Sequence, residues 1–274
     1  MDLIQRAIEA HKHLLSGATR HITRHITRYI RKTIHRFSGC DFPAIVTSGD
    51  FSNSEGHALK AALKAAIDDH SKLPQAIRAI PGMSGQKYRT LINTLIETLD
   101  RPRYLEIGSW LGSTAAAAIY CNNVQALCID DWSEFSGTKQ QFLANIEKAK
   151  SNGSEFHLIE RDFREVDYRA LGKFNVYLFD GPHSEVDHKD GILVVQPCLA
   201  DRFVLIVDDW NWRRVRYGTM RGLLAAKCQV QSSIQVRTTN DDAQPSLAFE
   251  ASDWHNGYFI AVVCKGGVTK HVRH

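Results

Sequence analysis

The chain is 274 residues long, 43% hydrophobic and 23% charged, with a net charge of +4. It is long enough to bury a core of its own. The charge is uneven: residues 1–40 hold eight basic residues (Arg6, Lys12, Arg20, Arg24, Arg28, Arg31, Lys32 and Arg36) against Asp2 and Glu9, which leaves the rest near −2. That balance excludes a body built as a nucleic-acid surface, and no apolar run approaches the length of a membrane span.

Residues 1–38 are predicted to form a basic amphipathic helical arm. Ile22, Ile26, Ile30 and Ile34 recur in a degenerate four-residue repeat that begins His21-Ile-Thr-Arg. An i, i+4 stripe of this kind seeks an apolar partner, and it drifts by about 40° per repeat because four exceeds the helical period. It suits packing on its own body or on a second copy of the chain, as a homodimer; contact with a membrane surface or polyanion is the other reading. Residues 39–100 read as a linker, with Gly, Pro, Asp, Asn and Ser in 39–55, and a helical cap with helices near 56–70 and 85–100. The turn Ile80-Pro-Gly-Met-Ser-Gly85 lies between those helices.

Residues 101–274 form the predicted main domain. Strands fit 103–107, 124–130, 155–160, 174–180 and 202–208, and helices fit 112–121, 137–151, 185–197 and 213–227. Two last strands fit near 230–238 and 257–264. Alternation of this kind predicts an α/β domain with a mostly parallel sheet. The six cysteines are scattered without a C-x-x-C pair, and several sit in apolar stretches. With no early signal-type run, a reducing, cytoplasmic setting is expected.

The most informative stretch is Tyr104-Leu-Glu-Ile-Gly-Ser-Trp-Leu-Gly-Ser-Thr114. An apolar strand carries Glu106 near its end, Gly108 and Gly112 follow, and Ser113 opens a small-residue helix. Glycine admits positive φ and close ligand approach. The spacing lacks the middle glycine of a G-x-G-x-x-G dinucleotide turn, which argues against a nicotinamide-dependent oxidoreductase. An acid ahead of the first glycine suits an ammonium-bearing ligand better than a pyrophosphate. Asp130 ends the second strand and is followed by Asp131 and Trp132; a carboxylate accepts two hydrogen bonds from a cis-diol, and an indole stacks on a base. The fourth and fifth strands end in Asp180 and in Asp208-Asp209, and His183 lies three residues past Asp180. Each of these acids also reads as a plain helix cap.

On these residues the chain resembles class I S-adenosylmethionine (SAM) methyltransferases, in the form of the metal-dependent catechol and macrocin O-methyltransferases. The resemblance covers roughly residues 80–265. It implies a Rossmann-like class I methyltransferase fold: a central, mostly parallel seven-stranded sheet with an antiparallel last strand, plus the N-terminal helical extension. It implies a SAM site at Glu106, Gly108, Gly112, Ser113, Asp130, Asp131, Trp132, Asp162 and Phe163, with Met83 and Ser84 covering the ligand. Asp180, Asp208 and Asp209 would converge, and three adjacent carboxylates repel unless a cation joins them; oxygen ligands favour Mg²⁺, with Mn²⁺ or Ca²⁺ open. His183 stands where catechol enzymes carry a lysine base, and histidine can take that role, with Asp180 beside it at the reacting centre. The expected substrate is a small hydroxylated acceptor, a sugar or natural product, near Trp210, Asn211, Trp212, Trp254, His255 and the 239–256 loop. His188 is expected to be exposed. The alternative is a non-catalytic SAM-binding module that scaffolds a complex through its arm.

Overall fold

The β-branched and aromatic runs become strands and the longer amphipathic stretches become helices, in a computed structural model that describes residues 42–134, 139–240 and 242–266. The 1–38 arm lies outside the described residues. The strands are β1 (Ala44–Gly49), β2 (Arg103–Ile107), β3 (Gln125–Ile129), β4 (Glu155–Ile159), β5 (Phe174–Phe179), β6 (Leu199–Val207), β7 (Cys228–Arg237) and β8 (Tyr258–Lys265). The helices are α1 (Ser54–Ile67), α2 (Gln75–Arg78), α3 (Gln86–Thr98), α4 (Ser113–Ile119), α5 (Lys139–Ala149), α6 (Glu185–Val194) and α7 (Arg213–Ala225).

The strands form one sheet in the order β1-β7-β8-β6-β5-β2-β3-β4. Pairing is parallel from β6 through β5, β2 and β3 to β4. It is antiparallel where β8 inserts between β6 and β7. This is the Rossmann-like class I methyltransferase arrangement. One difference from the expected seven strands is β1, which pairs antiparallel with β7 from Ala44↔Arg237 to Gly49↔Ser232. It falls inside the stretch read as linker. Turn-forming residues flank Ile45-Val46-Thr47, and three β-branched residues are too few to stand out without their partner strand.

Both sheet faces are covered, as a parallel sheet requires. On one face Tyr104, Ala126, Val176, Leu178, Val204 and Ile260 pack with Leu59, Leu91, Ala116 and Phe142 from α1, α3, α4 and α5. On the other face Phe179 meets His188 of α6 edge-on, with ring centroids 4.9 Å apart, and the Tyr177 hydroxyl donates to the Gly191 carbonyl. The predicted two-helix cap is therefore part of the core.

Candidate active site

The carboxyl ends of the parallel strands meet over one cleft, where open α/β sheets bind ligands. The cleft has a volume of about 110 Å³ and is open to solvent. Met83, Ser84, Gly108, Ser113, Asp130, Asp131, Trp132, Asp162 and Phe163 line it, together with Asp180 and His183. Gly108 adopts φ +81°, and a Cβ there would lie 2.0 Å from the Asp180 carbonyl oxygen. Only glycine lets β2 turn out so close to β5.

Glu106 and Gly112, both expected at the cofactor, are not among the lining residues. Glu106 is fully buried and points under the turn, accepting hydrogen bonds from the Tyr104 hydroxyl and from Thr114 Oγ1 at 2.9 Å. Burial pushes its carboxyl up to about 7, against the pull of those hydrogen bonds. Gly112, at φ +80°, faces the Phe142 ring, which a Cβ would approach to 2.8 Å.

Asp130 braces the turn. Its Oδ2 accepts the backbone N–H groups of Ser109 at 2.7 Å and Trp110 at 2.8 Å, and its Oδ1 accepts that of Trp132 at 2.7 Å. Two oxygens offer about four lone-pair sites, so after these three bonds about one, on Oδ1, remains for a ribose hydroxyl. Trp132 packs edge-on against Phe142 and donates from Nε1 to the Trp110 carbonyl. Asp162 caps the short 3₁₀ turn at Phe163 through the Arg164 N–H, and Asp131 accepts from Ser133.

Asp180, His183 and Asp209 converge at the ends of β5 and β6, with one ligand-type atom from each lying within 4.8 Å of the others. His183 Nε2 is 2.7 Å from Asp209 Oδ2 and 3.8 Å from Asp180 Oδ1. Burial disfavours the imidazolium, but the two carboxylates outweigh it and carry its pKa to about 10. Burial, reinforced by the Asp209 charge, lifts Asp180 to about 6. Asp209 falls below its ordinary value: burial opposes its charge, but His183 and the Asn256 amide, 2.6 Å from Oδ1, overcome it. Asp208 lies beside this cluster, its carboxyl hydrogen-bonded to that of Asp180. It is 2% exposed, its Oδ1 accepts the Asp209 N–H at 2.6 Å, and burial beside two other acids raises its carboxyl well above normal. Asp180, Asp208 and Asp209 are thus neighbours, with His183 set against Asp180 and Asp209.

The surrounding aromatic residues divide. Trp212 meets His183 edge-on with centroids 5.3 Å apart. Trp210 stacks on Phe259 in the core, and Asn211 is consumed by Thr238 and Asn256. Trp254 is buried in the core, and His255 Nδ1 accepts the Phe249 N–H. His188 is 1% exposed rather than solvated, because α6 turns it onto Phe179. Asn256 carries no sequence signal: β8 pairing alone brings it to Asp209.

The donor sets fit two groups. Two carboxylates and an imidazole suit a divalent cation. A carboxylate wall at Asp130, apolar Trp132 and Phe163, and the Ser113 hydroxyl suit a nucleoside bearing an amino acid. The fold is that of the class I methyltransferases. Residues 105–210, 106 of the 274, match the family model described as a methyltransferase domain. No curated protein sequence matches the chain. Similar solved structures include the O-methyltransferase TomG from Streptomyces achromogenes in complex with SAM (16% identity, TM-score 0.46, covering 76% of this chain and 89% of that one). An O-methyltransferase from Bacillus cereus in complex with S-adenosylhomocysteine (SAH) gives 14% identity and TM-score 0.45, covering 85% and 97%. The SAH-bound Podospora anserina methyltransferase PaMTH1 gives 11% and 0.42, covering 86% and 94%.

Proposed function

We propose that this methyltransferase transfers the methyl group of SAM to a hydroxyl of a small molecule and uses a divalent cation to do so. The observation that carries this reading is the convergence of Asp180, His183 and Asp209 at the edge of the cleft. Asp180 and Asp209 would hold the cation, with His183 beside them and Asp208 behind. A bound cation lowers the pKa of a coordinated hydroxyl and orients it.

The reaction is an in-line displacement. An O–C bond forms as the S–C bond of the sulfonium breaks, and the hydroxyl proton must leave. The protein's contribution is alignment and charge placement. Asp130 orients the nucleoside, Trp132 and Phe163 flank it, and Trp212 bounds the acceptor side. His183 Nε2 is the candidate proton acceptor. It can act only when neutral, and its two carboxylate neighbours keep it protonated as long as their charge falls on it alone. Positive charge shared with those carboxylates lowers that pKa, so base function at His183 and cation binding at Asp180 and Asp209 belong together.

Calorimetry of SAM with and without Mg²⁺, followed by methyl-transfer assays on hydroxylated acceptors in EDTA, tests the proposal. The expected result is SAM binding, with turnover lost in EDTA and restored by Mg²⁺. Full turnover in chelator refutes the cation requirement.

A further inference from the structure

Asn256 stands two residues ahead of β8 and is 2% exposed. β8 pairs with β6 as far as Val207↔Phe259. Beyond that register the two backbones stay joined, because the N–H groups of Trp210 and Asn211 donate to the carbonyls of Gly257 and Asn256, each at 3.0 Å. The Asn256 side chain is thereby laid against Asp209, which is itself buried.

The direction of each hydrogen bond at this junction follows from groups that have no choice. A backbone N–H only donates, so the Thr238 N–H, 3.0 Å from Asn211 Oδ1, fixes the oxygen of the Asn211 carboxamide on that side. Asn211 Nδ2 then donates to Asn256 Oδ1 at 2.9 Å and to Thr238 Oγ1 at 2.8 Å. With its oxygen so engaged, Asn256 turns its NH₂ the other way and donates to Asp209 Oδ1 at 2.6 Å. An ionised carboxylate only accepts, which closes the chain.

The two oxygens of Asp209 are therefore unlike. Oδ1 is held by Asn256, and Oδ2 faces His183 Nε2 at 2.7 Å. Swinging the carboxylate to present both oxygens to one ion would draw Oδ1 off the amide. The buried NH₂ would then lose its acceptor and incur the desolvation penalty of an unmade bond.

We propose that Asn256 is a positioning residue that commits Asp209 to ligation through one oxygen and so sets the choice of ion at this site, favouring Mg²⁺ over Ca²⁺; the inference rests on the cation reading above. The two ions ask for different carboxylates. Mg²⁺ demands a near-ideal octahedron at about 2.0–2.1 Å, which single oxygens and water supply. Ca²⁺ takes about six to eight oxygens at longer range and readily binds both oxygens of one carboxylate. An Asp209 that cannot turn withholds the second oxygen.

Calorimetry on the full chain, with Mg²⁺ and Ca²⁺ titrated separately, tests this. The wild-type protein should bind Mg²⁺ more tightly than Ca²⁺. Asn256→Ala should weaken Mg²⁺ by about 10–100-fold, as loss of a group that orients a metal ligand implies. It should weaken Ca²⁺ much less, because the freed Oδ1 becomes a ligand. Asn256→Leu, which keeps the volume, should give the same change of ratio. Equal weakening of both ions in these variants, the outcome of a purely structural role, overturns the inference. So does a wild-type protein that prefers Ca²⁺, a comparison that stands even where a variant fails to fold. If the wild-type protein binds neither ion, the cation reading fails and takes this inference with it.

Discussion

Replacing Glu106 by Gln should stabilise the ligand-free protein, and increasingly so as pH rises. The carboxyl is fully buried and its folded-state pKa lies at about 7 against an ordinary value of 4.5. A carboxyl raised on folding binds its proton more tightly in the native state. Its favourable contribution is complete below the unfolded pKa and is lost as pH climbs through the folded one. The difference of about 2.5 units at 1.36 kcal/mol per unit corresponds to about 3 kcal/mol lost between about pH 4.5 and pH 7. Gln keeps the shape: it can donate to the Tyr104 hydroxyl and accept from Thr114, and it never ionises. Any bond it makes poorly displaces its stability curve by a constant and leaves the pH slope alone. Thermal melts of both proteins by circular dichroism, from about pH 5 to about pH 8, should diverge by roughly 2–4 °C for each kcal/mol. Parallel curves over that range would refute the reasoning, because they would mean that Glu106 does not change charge there.

Asp209→Asn should abolish the binding of Mg²⁺ seen by calorimetry while leaving the circular dichroism spectrum intact, and the His183 pKa should fall in an NMR titration once its 2.7 Å partner is neutral. His183→Ala should lower turnover by about 10²–10⁴, as loss of a general base implies, with SAM affinity within a few-fold of wild type. A wild-type rate would assign proton removal elsewhere. Asp130→Ala should weaken SAM by a few kcal/mol at most and also lower the melting temperature, since its carboxylate holds three backbone N–H groups; an unchanged SAM affinity would remove the ribose role. Deletion of residues 1–38 should shift the mass found by light scattering toward a monomer and spare SAM binding, because the Ile22, Ile26, Ile30 and Ile34 stripe needs an apolar partner.

The parallel half of the sheet was legible because its strands are buried on both faces and read as continuous apolar runs, such as Val176–Phe179 and Phe203–Val207. The acids that end those runs, Asp130, Asp180 and Asp208-Asp209, were legible for the same reason. Side-chain direction within a strand was harder to read. Glu106 shares the face of Tyr104, two residues earlier, and so points under the helix beyond the turn rather than into the cleft. Asp208 and Asp209 lie past the end of β6, and Asp209 takes a left-handed φ of +56° that strand alternation does not anticipate. Non-local pairing stayed invisible. Neither β1 nor Asn256 has a local pattern of its own, and both owe their places to strands far away in sequence.

The pairing of β1 with β7 joins residues 183 to 193 positions apart. During synthesis, β1 waits for almost the whole domain before its partner exists. Even then β7 is held by β8, made later still, which must itself slot between β6 and β7. Closing so long a loop makes the last step of assembly slow, and a waiting strand is an invitation to pair with a neighbouring chain. The six residues of β1 answer this with brevity and with polar Thr47 and Ser48 ahead of Gly49. A cut after Gly49 would leave the ten-residue β7 as the new open margin of the sheet, and a chain shortened in that way should be more prone to aggregate than one cut before Ala44.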